Sequence, residues 1–172
     1  MASEQREGVA PIGRFRGKHF EDFVLNEEFH SPGRTITEAD VVAFANLSWD
    51  HNPIHVNEEF ASKTLFRTRI AHGALTLAVA TGFAHQTGIL EGTTIALASQ
   101  NIRYLEPVRI GDTLSLRLWV SKKEPVGRGN RGLVTLSTEM CNQAGKRVAE
   151  GEWVVMIRGR ERRRADDAGP RP

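Results

Sequence analysis

Acidic and basic side chains are combined in one short stretch, residues 50–55, with the sequence Asp-His-Asn-Pro-Ile-His. Pro53 disfavours a helical conformation at Asn52, so we expect a loop. A turn at this Asn-Pro pair can direct the side chains of Asp50 and His55 toward one point. A carboxylate and an imidazole that meet in this way can hold a water molecule and move protons at neutral pH. The stretch is therefore a candidate acid–base site.

A second feature lies further along the chain, where Ala71-His72-Gly73 opens an uncharged segment. The N–H groups at the start of a helix have no partner within the helix, and together with the helix dipole they favour a developing negative oxygen. Gly73 has no side chain, which would let a ligand carbonyl approach the backbone closely. Combined with Asp50 and His55, this donor would suit addition to, or elimination from, a carbon next to a polarised carbonyl.

The histidines also raise the question of a metal site. His51 and His55 are four residues apart, as in a helical metal pair. Pro53 between them argues against a regular helix, and Asp50 is the one obvious third ligand. We therefore predict no metal, and we interpret His72 as a structural side chain at the start of a helix.

Several helices that would position these residues are predicted from capping residues and periodicity. Thr37 with Asp40 resembles a capping box, which predicts a helix that continues through Leu47. Asn57 can cap a short helix that ends near Lys63. The stretch 70–84 has no charge and many small residues, which predicts a helix buried on nearly all sides.

The remainder of the chain has the pattern of strands. A short turn and a strand are expected near residues 20–29. Four segments after Gly92 are rich in β-branched and apolar residues and are separated by Gly-containing turns: 93–105, 112–122, 131–142 and 147–157. Strands joined in this way predict an antiparallel meander. The fold class is therefore α+β, with a curved antiparallel sheet wrapped around the central helix.

Length and charge suggest one domain with short extensions. The chain has 172 residues and a mass of 19.1 kDa. We expect a flexible lead-in over 1–18, a single domain over 19–157 and an Arg-rich, disordered tail over 158–172. The sequence pI near 9.0 results from this tail, which has six Arg and three acidic residues. This distribution does not predict nucleic-acid binding.

The composition also excludes other classes of protein. No apolar run approaches the roughly 20 residues of a membrane helix, and the N-terminus lacks the apolar stretch of a secretory signal. A single cysteine excludes an internal disulfide framework. We therefore expect a cytoplasmic protein that does not associate with membranes.

Residues 44–55, with the sequence Phe-Ala-Asn-Leu-Ser-Trp-Asp-His-Asn-Pro-Ile-His, resemble the hydratase motif of MaoC-like (R)-specific enoyl-CoA hydratases. The later Ala61, the Arg-Ile-Ala-His-Gly run at 69–73 and the segment 100–112 with its Pro-Val and Gly-Asp pairs also resemble that family. The resemblance covers roughly residues 20–157. One departure is Trp49, because the family usually has Gly before the Asp. Trp does not readily adopt a glycine conformation and adds bulk beside the site, so this departure bears on loop geometry and on the acyl pocket.

The resemblance implies a hot-dog fold and a homodimer whose two sheets join edge to edge, with an acyl thioester at the subunit interface. Asp50 and His55 would hold the catalytic water. One would take its proton for attack at the β-carbon, and the other would deliver a proton to the α-carbon, in an order that the sequence leaves open. The N–H of Gly73 would stabilise the thioester enolate. No metal or cofactor is expected, since CoA is part of the substrate.

The resemblance also implies that the hydroxyl of Thr81 could supply a supporting hydrogen bond. Asn52 and His72 are further candidates for supporting roles, and a second base is the alternative for His72. Positive residues that could contact the anionic end of CoA include Arg67, Arg69 and Arg103.

The function predicted in this way is reversible hydration of a trans-2-enoyl-CoA to a (R)-3-hydroxyacyl-CoA. A dehydratase of branched or dicarboxylic hydroxyacyl-CoA esters, or of an acyl-carrier-protein substrate, remains an alternative, as do oligomers larger than a dimer. Two alternatives of another class are a hot-dog thioesterase and an acyl-CoA-binding or regulatory module. The thioesterase would need an acid or base on the central helix, where residues 74–84 have no carboxylate, and the module would need no Asp50/His55 pair.

Overall fold

The computed structural model describes residues 16–127 and 130–160. The predicted lead-in residues 1–15 and tail residues 161–172 lie outside the described residues, and the predicted domain bounds stay predictions. Within the described ranges, no helix is long and apolar enough to cross a membrane.

The strands form one antiparallel sheet of six strands. In chain order they are β1 (Glu28–His30), β2 (Arg34–Thr35), β3 (Thr94–Tyr104), β4 (Thr113–Pro125), β5 (Arg131–Cys141) and β6 (Arg147–Arg158). Their spatial order is β1-β4-β5-β6-β3, and β2 also pairs with β4. A single 3-10 turn, Phe20–Asp22, precedes β1.

The helices lie between β2 and β3 in the sequence: α1 (Glu38–Ser48), α2 (Pro53–Val56), α3 (Glu58–Ala61) and α4 (Gly73–Gln86). The predicted capping box is present. The Thr37 hydroxyl accepts from the N–H of Asp40 at 3.2 Å, and the Asp40 carboxylate accepts from the N–H of Thr37 at 2.8 Å. The Asn57 side chain accepts from the N–H of Phe60 at 3.0 Å, which confirms the predicted start of α3.

The core lies between α4 and one face of the sheet. Alternate residues of β4 are buried, as expected for a strand with one face in the core. Buried apolar side chains of α4 and the sheet form a single cluster that includes Leu75, Val79, Phe83, Leu118 and Leu136. This arrangement confirms the predicted α+β fold, in which a sheet packs around one long helix.

The prediction that the central helix is buried on nearly all sides is wrong. One face of α4 is exposed and carries Ala74, Ala78 and Thr81. The uncharged character of this segment comes partly from small residues, whose exposure costs little free energy, so the absence of charge overstated its burial.

The predicted meander is correct for β4, β5 and β6 but wrong for β3, which pairs with β6 instead of β4. The segment between β3 and β4 is not a tight turn. It lies against the residues before α4, where Val108 accepts from the N–H of Ala71 at 2.8 Å and Ile70 pairs with Arg109. The chain thereby passes from β3, at the edge beside β6, to β4, which lies on the other side of β5 and β6.

Candidate active site

His55 lies on a one-turn helix, α2, where the sequence predicted a loop. Asn52 is the N-cap, and its side-chain oxygen accepts from the N–H of Ile54 at 3.2 Å. Pro53 occupies the first helical position, where its missing N–H is not needed and its fixed φ suits the helix. The Asn-Pro pair was therefore a signal for the start of a helix as well as a signal for a break.

The hydrogen bond of the His55 side chain determines which ring nitrogen is already engaged by the backbone. Its Nδ1 lies 2.7 Å from the carbonyl oxygen of Ile70. A carbonyl oxygen accepts only, so Nδ1 carries a proton, and in the neutral ring Nε2 keeps the lone pair. The half-buried His55 also lines a cavity, described below, and can therefore accept a proton there.

The structure brings Asp50 and His55 together, as predicted. A carboxylate oxygen of Asp50 and one ring nitrogen each of His55 and His72 lie within 4.8 Å of one another. The Asp50 carboxylate accepts from the N–H of Asn52 at 3.2 Å, so Asn52 holds Asp50 as well as the start of α2. In the described part of the chain these three groups are the one set that could ligate a metal ion, and the expected absence of a metal stays a prediction.

His72 is buried at the N-cap of α4, with 1% of its surface exposed. Its Nε2 lies 2.9 Å from the backbone carbonyl oxygen of Asp50. Its ring stacks on that of His55, with 3.8 Å between the centroids and 29° between the planes. His72 therefore contacts both members of the predicted acid–base pair.

A cavity of about 360 Å³ is lined by His55, while Asp50 and His72 are not among its lining residues. Apart from His55, Gly73, Thr76 and Glu106, its lining is apolar or aromatic: Phe66, Ile70, Ala71, Tyr104, Leu105, Pro107 and Val108. An apolar cavity with a few converging polar groups is typical of a small-molecule site. Gly73 is the first residue of α4, so its N–H belongs to the set that has no partner within the helix.

Tyr104 is a site residue that the sequence analysis did not single out. Its ring packs against Gly73, and a Cβ placed on Gly73 would lie 2.9 Å from Cζ of that ring. A larger residue at position 73 would therefore force the Tyr104 ring to move. Partial burial raises the pKa of the Tyr104 phenol above its ordinary value. Tyr104 lies on β3, far from Gly73 in sequence, and its position inside the family-like segment 100–112 was the available signal.

Trp49 adopts the conformation that the family's glycine would favour. It is the C-cap of α1, with φ 63° and ψ 11°, in the left-handed region. Its side chain is 86% exposed and does not line the cavity. The bulk of the Trp49 side chain therefore does not reduce the volume of the cavity that the described residues form.

The three arginines proposed for the anionic end of CoA have different surroundings. Arg69 is paired with Glu38 at 2.9 Å and with Glu58 at 3.1 Å. Arg103 is paired with Glu150. Arg67 is exposed, and no ion pair joins it to another of the described residues. Arg67 is therefore the most available of the three for an anionic ligand.

Thr81 lies about two turns along α4 from Gly73. Its hydroxyl donates to the carbonyl of Ala78 at 2.7 Å, and no hydrogen bond links it to Asp50 or His55 in residues 16–127 and 130–160. The ring of His51 makes no hydrogen bond to Asp50 or His55 in the described part of the chain. Its ring nitrogens lie near the Trp49 carbonyl and the Asn46 side chain.

Comparison with known proteins gives a consistent set of relatives. The family model "MaoC like domain" matches residues 22–141. An (R)-specific enoyl-CoA hydratase of Rhodospirillum rubrum is 39% identical over 142 residues, which cover 83% of this chain and 93% of that protein.

Solved structures agree. The crystal structure of a MaoC-like dehydratase from Rhodospirillum rubrum superposes with a TM-score of 0.76 at 27% identity, covering 85% of this chain and 100% of that one. A Mycobacterium tuberculosis protein described as a double hotdog fold superposes with a TM-score of 0.71 at 19% identity, covering 91% of this chain and 47% of that one. The second similarity concerns the fold alone, and it confirms the predicted hot-dog architecture.

Proposed function

Because the chain belongs to the family of MaoC-like domains, we propose that it catalyses the reversible hydration of a trans-2-enoyl-CoA to a (R)-3-hydroxyacyl-CoA. The observation that carries this proposal is the juxtaposition of Asp50 and His55 beside an apolar cavity that Gly73 also lines. The enoyl-CoA hydratase among the relatives supports the choice of substrate.

In the proposed reaction, a water molecule lies between Asp50 and His55. The carboxylate of Asp50 and the unprotonated Nε2 of His55 each accept one of its hydrogens, which directs the water oxygen at the β-carbon. Because both groups accept from the water, the proton that one of them takes as the C–O bond forms is the proton then delivered to the α-carbon, in place of the two-group transfer that the resemblance implies. The reverse sequence removes water from the hydroxyacyl thioester.

Negative charge develops on the thioester oxygen when the β-carbon is attacked. The N–H of Gly73 at the start of α4 is a suitable donor for this oxygen, because preorganised N–H groups stabilise charge that appears in the transition state. The apolar lining would accommodate the acyl chain, and the exposed Arg67 is available for the phosphates of CoA.

We further infer a homodimer that forms through the edge strand β3. This strand hydrogen-bonds to β6 along one side, and Ile95 and Leu97 on it are 46% and 50% exposed. Tyr104, at the end of the same strand, lines the cavity, which connects the proposed interface to the site. The cytoplasm remains our expected location.

The decisive experiment follows crotonyl-CoA hydration through loss of the enoyl-thioester absorbance. We expect wild type to form the (R)-product, and Asp50→Asn and His55→Ala to lose about 10² or more in kcat. His51→Ala is a matched control from the same stretch. It should keep wild-type turnover, because the hydrogen-bond partners of the His51 ring are the Trp49 carbonyl and the Asn46 side chain.

A panel of branched, dicarboxylic and carrier-protein thioesters then tests the substrate. Preferred turnover of one of these would identify a dehydratase of that type. Binding of CoA esters with no turnover of any of them would contradict the proposed enzyme and favour an acyl-CoA-binding module.

A further inference from the structure

We propose that His72 is a positioning residue, which fixes His55, Asp50 and the start of α4 relative to one another through a single buried imidazole. This inference rests on the proposed function, in which those three parts must act on one substrate. His72 contacts two of them directly and immediately precedes Gly73 in the third.

The first contact is the stack on His55. The two rings are 3.8 Å apart between centroids and tilted by 29°. The ring of Phe44 also packs against His72, at 5.1 Å between centroids. With His72 buried to 1% exposure, its ring has little freedom to move, and it presents a fixed surface to His55.

The second contact is the hydrogen bond to the backbone of Asp50. A carbonyl oxygen only accepts, so Nε2 of His72 carries the proton and donates to Asp50 at 2.9 Å. Nδ1 of His72 is buried and has no hydrogen-bond partner among the described residues. His72 is also absent from the residues that line the cavity, so it acts through its neighbours.

The same short segment also restrains His55 from its other side. Ile70, two residues before His72, accepts the Nδ1–H of His55. Residues 70–73 thus have several roles in the site. Ile70 accepts the Nδ1–H of His55, and His72 stacks on the His55 ring and donates to the Asp50 backbone. Gly73 supplies the N–H proposed for the enolate. Since a misplacement of about 1 Å can cost roughly 10²-fold in rate, this shared segment would make the geometry of the reaction depend on His72.

Two variants separate the two contacts of His72. His72→Gln keeps an amide donor that can reach the Asp50 carbonyl but has no ring to stack. His72→Phe keeps a ring against His55 but has no donor. We expect each to lose about 10- to 100-fold in kcat for crotonyl-CoA, with KM changed less than about threefold, because the acyl cavity itself is preserved.

A second readout does not depend on turnover. In wild type, the His55 Nδ1–H that bonds to Ile70 should give a downfield proton resonance and a ring ¹⁵N pattern of the Nδ1–H tautomer. We expect this signal to shift or broaden in His72→Gln while the thermal transition stays cooperative. His85→Gln is the control, since His85 is an exposed histidine near the end of the same helix and should leave the signal and kcat unchanged.

The outcomes distinguish this inference from the proposed function. If both His72 variants have the same kcat as wild type, the positioning role is overturned, while the proposed hydratase function stands. If wild type turns over no thioester, the proposed function fails, and an unchanged His55 signal in His72→Gln would overturn the positioning role independently. If His72→Phe does not fold, His72→Gln carries the test.

Discussion

Trp49 is held in a left-handed backbone conformation immediately before Asp50, with φ 63°. Helices often end in this conformation, and glycine is the usual residue there because it has no Cβ to clash. For a residue with a side chain the conformation costs about 1–2 kcal/mol. The indole is 86% exposed, so packing within the protomer offsets little of that cost.

We predict that Trp49→Gly raises the free energy of unfolding by about 0.5–1 kcal/mol, since relief of the strain is partly offset by the greater freedom of glycine in the unfolded chain. Urea unfolding measures this change. Asn26→Gly is the control, because Asn26 has φ 64° but asparagine tolerates that region, and its effect should be smaller. A less stable Trp49→Gly would mean that the indole makes a stabilising contact.

The residues of the site differ in how far the sequence could identify them. Asp50 and His55 lie in one short motif, so their spacing was sufficient to place them together. His72 and Gly73 were recognisable from the start of an uncharged helix. Tyr104 was not, because its contact with Gly73 depends on where the end of β3 lies relative to α4, which is a property of the tertiary fold.

Among the elements, those whose signals are local were predicted well. Thr37 and Asn57 cap the helices that follow them, because capping depends on residues within one turn. The pairing of β3 with β6 joins residues about fifty positions apart and is decided by packing around α4. Pattern alone favoured the nearer partner, β4.

Arg69 connects two of these elements. Its guanidinium pairs with Glu38, the first residue of α1, and with Glu58, the first residue of α3. The hydrogen bond from the Arg69 side chain lowers the pKa of Glu38 below its ordinary value. The backbone N–H of Arg69, followed by its side chain, lowers the pKa of Glu58 below the same value. Carboxyls with lowered pKa values stabilise the fold above the unfolded pKa, and that contribution is lost as the pH falls through the folded pKa.

We therefore predict that Arg69→Gln is less stable than wild type at pH 7. The difference should shrink in acid, as the pH falls through the lowered pKa values of Glu38 and Glu58 and both carboxyls become protonated. Urea unfolding at pH 7, 5 and 3.5 measures it. Lys63→Gln, which removes the exposed pair with Glu59, should have a smaller effect. A stability difference for Arg69→Gln that does not change with pH would exclude the ion pairs as its cause.

For the molecule as a whole, the exposed side of β3 is the main unexplained feature of the sheet. The strand has eleven residues, and almost all of them are exposed in the protomer. A long edge with apolar side chains invites pairing with another strand unless it is protected. Pairing with β3 of a second copy would bury Ile95 and Leu97 and would support the wall of the cavity that carries Tyr104.

We predict that Leu97→Lys converts a dimeric wild type into a monomer, because a charge at this edge disfavours strand pairing. Crotonyl-CoA turnover should then fall by at least about tenfold, because the cavity wall that contains Tyr104 loses its support. Light scattering coupled to gel filtration measures the mass. Val42→Lys is the matched control, since Val42 is an exposed apolar residue on α1, 41% exposed, and should leave mass and activity unchanged. A wild type that is monomeric and fully active would show that the site is complete in one protomer.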